Sequence, residues 1–65
     1  MTLHRQIDRQ ADKLDTEYDL LERMRDGDPT SIQVVALMLQ QAKRVRREAS
    51  ALVRLLAQQR DDLQS

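Results

Sequence analysis

Asp26-Gly27-Asp28-Pro29 is the one strong helix-breaking stretch in the chain, and it holds the only Gly and the only Pro of 65 residues. Gly27 suits the left-handed position just past a helix end. Asp28 can cap a following helix with Pro29 at its first position, where a missing N–H costs nothing. Thr30 and Ser31 offer alternative caps. With turn signals for about one turn, a multi-stranded β fold is excluded. The spacing predicts an all-α fold: an antiparallel, coiled-coil-like two-helix hairpin. Its first helix covers about residues 2–26, its turn 26–29 and its second helix about 29–62, in a single domain, 1–65.

Composition agrees. The chain is 40% apolar with one aromatic residue, Tyr18, and carries 11 basic and 11 acidic residues. A chain of this size buries too little surface for a deep catalytic cleft as a monomer. It has no Cys, so no disulfide staples it. No apolar run approaches the ~20 residues of a membrane span. Met1 to Gln10 is charged and has no signal-peptide core. Balanced charge argues against a general nucleic-acid binder.

Outward from the turn, apolar residues recur at heptad steps. The first helix offers Ile7, Ala11, Leu14, Tyr18 and Leu21, with His4 one step earlier. The second offers Val35, Met38, Ala42, Val45, Ala49, Leu52 and Leu56, the pattern of a coiled-coil seam. Folding at Gly27 sets Leu21 against Val35, Tyr18 against Met38, Leu14 against Ala42, Ala11 against Val45, Ile7 against Ala49 and His4 against Leu52. Residues 8–22 hold six acids and two bases, and residues 43–54 hold five bases and one acid. Asp8, Asp12, Asp15 and Asp19 line one flank, and Lys43 and Arg46 lean toward it. These exposed pairs are worth about 0–1 kcal/mol each and are expected to select register more than to hold the fold.

The seams leave apolar residues over. Leu20, Met24, Val34 and Leu37 fall off them on one calculated side at the turn end. Residues Ile32 to Leu39 are apolar nearly all round, as in a helix buried on more than one side. The second helix also overruns the first, leaving Leu55, Leu56 and Leu63 with little opposite them. A face of this kind is expected to be covered by another chain. The candidate partner-binding residues are therefore Leu20, Met24, Val34 and Leu37, followed by Ile32 and Leu39.

Nothing in the chain reads as catalytic, and the expectation is a non-enzyme with no cofactor and no metal. His4 is the only His, so a zinc site within one chain is excluded. The Asp8, Asp12, Asp15 and Asp19 ladder lacks the Glu-x-x-His partner of carboxylate metal bundles. It reads as a solvated acidic flank. The basic run Lys43-Arg44-x-Arg46-Arg47 lacks stacking aromatics, and no nucleic acid or membrane insertion is expected. Gly27 stands alone, so no phosphate-cradling loop exists.

Two stretches carry a family likeness. Arg23-Met24-Arg25-Asp26-Gly27-Asp28-Pro29 is a basic helix end running into a Gly turn. Leu39-Gln40-Gln41-Ala42-Lys43-Arg44-Val45 follows, with Leu52 and Leu56 near the end. Over roughly residues 14–60 the chain resembles the small helical-hairpin co-chaperones of bacterial type III secretion needle subunits (the YscE type). It departs from them in having no aromatic residue between Ile32 and Leu39 and in its long second helix. The resemblance implies a hairpin in the bacterial cytoplasm that binds and stabilises a tetratricopeptide-like, helical-repeat chaperone. The pair would keep the needle subunit soluble before export. Two other classes fit the same pattern: a self-associating module such as a homodimeric four-helix bundle, and a small regulator that binds a signalling protein.

Overall fold

The computed structural model describes residues 2–64; Met1 and Ser65, which the single-domain reading includes, lie outside them. The chain is a hairpin of two α-helices, α1 (Leu3–Met24) and α2 (Ile32–Gln64). They lie side by side in a rod of 51 × 15 × 14 Å. The long dimension is α2 itself, whose 33 residues at 1.5 Å each span about 50 Å.

Thr2 caps α1: its hydroxyl accepts the Arg5 N–H at 3.3 Å, satisfying one of the orphan donors of the first turn. At the other end the residues depart from expectation. The N–H groups of Arg25, Asp26 and Gly27 donate to the carbonyls of Glu22, Arg23 and Met24 at 3.2, 3.3 and 3.0 Å. α1 thus closes in a tightened 3₁₀ turn, and no described residue has positive φ, Gly27 included. The left-handed role expected of Gly27 is corrected, and the reason for glycine is close approach. A Cβ at this position would lie 2.9 Å from Val34 Cγ1 and 3.2 Å from the Met24 carbonyl oxygen. The β-branched Val34 side chain has little rotamer freedom with which to withdraw. Gly27→Ala is therefore expected to destabilise the hairpin by about 1–2 kcal/mol, read as a lower urea midpoint at fixed protein concentration.

The cap of α2 also moves. Asp28 Oδ1 accepts from the Thr30 N–H at 2.9 Å and the Thr30 hydroxyl at 2.7 Å. These bonds, the hydroxyl's first, hold the Asp28 carboxyl below its ordinary value of 3.8. Asp28 thus orders the turn, and Ser31 does the capping. Its hydroxyl accepts the Val34 N–H at 3.4 Å and its carbonyl the Val35 N–H at 3.0 Å. Pro29 stays in the turn, and α2 begins three residues later than expected, at Ile32.

The seam is rotated from the one that apolar spacing suggests. On α1 the half-buried residues are Leu3, Ile7, Gln10, Leu14, Glu17, Leu21 and Met24, with Ala11 alongside. On α2 they are Val34, Met38, Val45, Glu48, Leu52, Leu55 and Gln59, with the fully buried Gln41 between Met38 and Val45 and with Ala49 and others alongside. Both runs step by four and three, an unbroken heptad pattern. Two expected members of the α1 seam are outside it. Tyr18 is 50% exposed, and the His4 side chain is 75% exposed, 3.4 Å from Asp8. Val35, Ala42 and Leu56 of the expected α2 seam are likewise exposed.

Two polar layers explain the rotation. Gln41 is 2% exposed; its Nε2 donates to the Glu17 carbonyl at 2.7 Å and to Glu17 Oε2 at 2.6 Å. Gln10 Nε2 donates to the Glu48 carbonyl at 2.9 Å and to Glu48 Oε2 at 2.6 Å. In each layer one amide spans the gap and satisfies a backbone and a side-chain acceptor of the facing helix. Hydrogen bonds to a carboxylate are the stronger kind. The layers mirror each other: seven residues forward along α1 is seven back along α2. Together they fix a register two residues from the expected pairing, because Gln10 meets Glu48 where the earlier alignment set it against Arg46.

The charged flanks do not set this register. Among the described residues, no α1 acid reaches an α2 base. Asp19 pairs with Arg23 at 3.0 Å within α1, and Arg60 with Asp61 within α2. In the observed seam, Asp12 and Asp19 sit half a turn away from α2, too far round to meet Lys43 or Arg46.

Candidate protein-interaction surface

Two packed helices cannot enclose a core, and among the described residues no apolar side chain is fully buried. Chemistry-bearing groups are dispersed: no cluster of three His, Asp or Glu among the described residues is placed to hold a metal ion. Among the described residues no helix is long and apolar enough to cross a membrane. What the fold offers is surface, and its apolar part falls on two sides of the hairpin.

The first side is at the turn. Met24, Val34 and Leu37 line a shallow depression with Gly27 and Arg23. Its floor exists because Gly27 has no side chain and lets the chain pass against Val34. Leu20 lies one turn before Met24 on the same side of α1. It is 40% exposed, and Leu37 is 57% exposed. Of the six residues singled out from the sequence, these four adjoin one another. Met24 and Val34 were expected off the seam and are half-buried members of it. Leu20 and Leu37 therefore supply most of the free apolar contact here, and Met24 and Val34 supply the base. Arg23, held by Asp19, gives this side a polar rim.

Ile32 and Leu39 are not part of that depression. Leu39 lines a wider apolar trough with Leu21, Pro29, Val35, Met38 and Ala42. It also borders a second hollow with Ala42, Lys43 and Arg46. Ile32 begins this side at 85% exposure, and Val35, Val53, Leu56 and Leu63 continue it along α2. Tyr18, one turn before Leu21, flanks it from α1. Sequence reading had placed Val35, Ala42 and Leu56 in the hairpin seam and so missed this side as a surface. The signal was present: each of these positions follows an α2 seam residue by one, so a second heptad run lies beside the first.

Compared with known proteins, the chain matches no family model, no curated protein and no solved structure.

Proposed function

We propose that this chain is a non-enzymatic binding hairpin that stabilises a helical-repeat chaperone and, with it, keeps a type III secretion needle subunit soluble in the bacterial cytoplasm before export. The observation that carries the reading is the turn-end depression. Leu20 and Leu37 stand exposed beside Met24 and Val34, on a hairpin among whose described residues no apolar side chain is fully buried. Such a hairpin gains more from docking than a domain with a closed core, because docking supplies burial that its own fold lacks. The choice of a helical-repeat partner rests on the resemblance of residues 23–29 and 39–45 to the needle-subunit co-chaperones. A hairpin edge to which each helix contributes one exposed leucine, beside a shallow depression, suits the concave face of stacked helix pairs.

The test is co-expression of the full chain with the helical-repeat chaperone of the same secretion system, followed by affinity measurement on the purified pair. A stable one-to-one complex is expected. Leu20→Ala with Leu37→Ala should weaken it about 10- to 100-fold, each truncation removing 1–2 kcal/mol, while circular dichroism of the free hairpin stays unchanged. Absence of a complex with the unaltered chain sinks the reading. Binding that is indifferent to both substitutions removes the turn-end face from it.

A further inference from the structure

The second apolar side of α2 is a seam in its own right. Ile32, Val35, Leu39, Ala42, Arg46, Ala49, Val53, Leu56, Arg60 and Leu63 follow one another at steps of three and four over the full helix. This is the heptad spacing of the α1-facing seam moved on by one residue. Among the described residues, seven of the nine large apolar side chains that stand exposed lie on this side: Tyr18 from α1 and Ile32, Val35, Leu39, Val53, Leu56 and Leu63 from α2. The run extends beyond α1. In the register set by the two Gln–Glu layers, Leu3 stands opposite Leu55, so Leu56 to Gln64 have no α1 beside them.

We infer that this seam is occupied by the same seam of a second copy of the chain, with the two α2 helices antiparallel about a two-fold axis between Arg47 and Glu48. Three observations select that occupant. The first is self-complementarity, which an interface between identical surfaces requires. Reversed on itself about its midpoint, the run pairs Ile32 with Leu63, Leu39 with Leu56 and Ala42 with Val53. Ile32 and Leu63, 85% and 80% exposed, are the two most exposed large apolar side chains among the described residues and fall opposite each other.

The second observation is charge. Antiparallel pairing sets Arg46 opposite Ala49 and Arg60 opposite Val35 of the second copy, so neither guanidinium lies directly opposite its own counterpart; the two Arg46 side chains flank the axis about 4.5 Å apart along the helix direction. A parallel pair would place Arg46 on Arg46 and Arg60 on Arg60, a like-charge contact in each layer.

The third is area. The chain exposes 5366 Å², where a compact protein of 7.6 kDa would expose roughly 4,300 Å². The excess, on the order of 1,000 Å², matches the ~800 Å² that each partner contributes to a standard stable interface. The overhang of α2 gains a purpose in this arrangement, because Leu56 to Leu63 lie on the Ile32–Leu39 end of the second copy. This inference is independent of the co-chaperone reading, since Leu20 and Leu37 lie on the other side of the hairpin.

The first experiment is analytical ultracentrifugation of the full chain. The expected result is a dimer of 7.6 kDa chains at concentrations up to about 100 μM, as micromolar or tighter affinity implies. Leu39→Glu with Leu56→Glu should weaken self-association at least about 100-fold, with the monomer recovered.

The second experiment does not depend on the charged variant folding, and it uses the absence of native Cys. Ile32→Cys and Leu63→Cys are made separately, both at highly exposed positions, and mixed under mild oxidation. Disulfides joining position 32 of one copy to position 63 of another should form faster than 32–32 or 63–63 links. The two positions sit at opposite ends of one helix, so the mixed link cannot arise within a chain. A monomer across that concentration range overturns the inference. Predominant 63–63 links overturn the antiparallel arrangement, and complex formation only with a different protein assigns the seam to that partner.

Discussion

Truncating Gln41 to alanine is expected to cost the hairpin about 2–4 kcal/mol. One term is the loss of hydrogen bonds to a carbonyl and a carboxylate, the second of which is of the 1.5–3 kcal/mol kind. The other is the state of what remains: Glu17, half-buried in the seam, has lost the amide that faced it at 2.6 Å. An unpaired carboxylate away from water is penalised more than a missing hydrogen bond between neutral groups. A 65-residue chain has roughly 3–10 kcal/mol of stability in all, so this one side chain holds a large share. Urea unfolding followed by circular dichroism at a single protein concentration reads the change. The neighbouring exposed Gln40→Ala is the control, expected within about 0.5 kcal/mol of the parent. Equal behaviour of the two variants would mean that the Glu17–Gln41 layer holds nothing.

Replacing both members of that layer reverses the sign. Glu17→Leu with Gln41→Leu leaves no polar group unpaired and adds two apolar side chains to the seam. At 1.5–3 kcal/mol for a fully buried leucine and less at half burial, the pair is expected to gain about 2–4 kcal/mol. The gain comes with lost definition. A polar residue in an apolar seam specifies register because any slip leaves it unsatisfied. With one layer apolar, only Gln10 and Glu48 penalise a shift of α1 along α2. The double variant should therefore unfold at higher urea yet show broadened amide resonances or more than one species by sedimentation. Higher stability with a single sharp species would show that Gln10 and Glu48 suffice for register.

These two substitutions also mark where sequence reading succeeded and where it stopped. The hairpin was legible because Gly27 and Pro29 are the only breakers between two long heptad patterns, and few topologies satisfy that. The turn, the overhang of α2 and the adjacency of Leu20, Met24, Val34 and Leu37 follow from the same spacing. The facing residues did not follow. Seams were traced through apolar residues alone, which rejects Gln10, Glu17, Gln41 and Glu48. The path then shifts by one residue on each helix, onto Ala11 and Tyr18 in α1 and Val35, Ala42 and Leu56 in α2. A buried amide looks like a surface residue in one dimension. Its role depends on a facing acceptor 24 or 38 residues away, which local periodicity does not contain. The same slip hid the second seam of α2, whose members had been assigned to the first. Ser31, offered by the sequence only as an alternative cap, takes that role for a local reason: the Thr30 N–H and hydroxyl occupy the Asp28 carboxylate and keep it in the turn.

The mirrored layers also give the chain a sequence of closure. Glu17 and Gln41 are separated by 24 residues and Gln10 and Glu48 by 38. Joining the nearer pair first costs less chain entropy, by about 0.4 kcal/mol for independent loops. Once it is joined, only the short segments between the layers remain to be ordered before the second can form. The hairpin thus zips from its turn toward its open end, with Gln41 as the first catch and Gln10 as the second. Opening runs the other way. The free end parts while the turn still holds, so the start of α1 can detach without losing the Leu20–Leu37 side on which the turn-end surface is built.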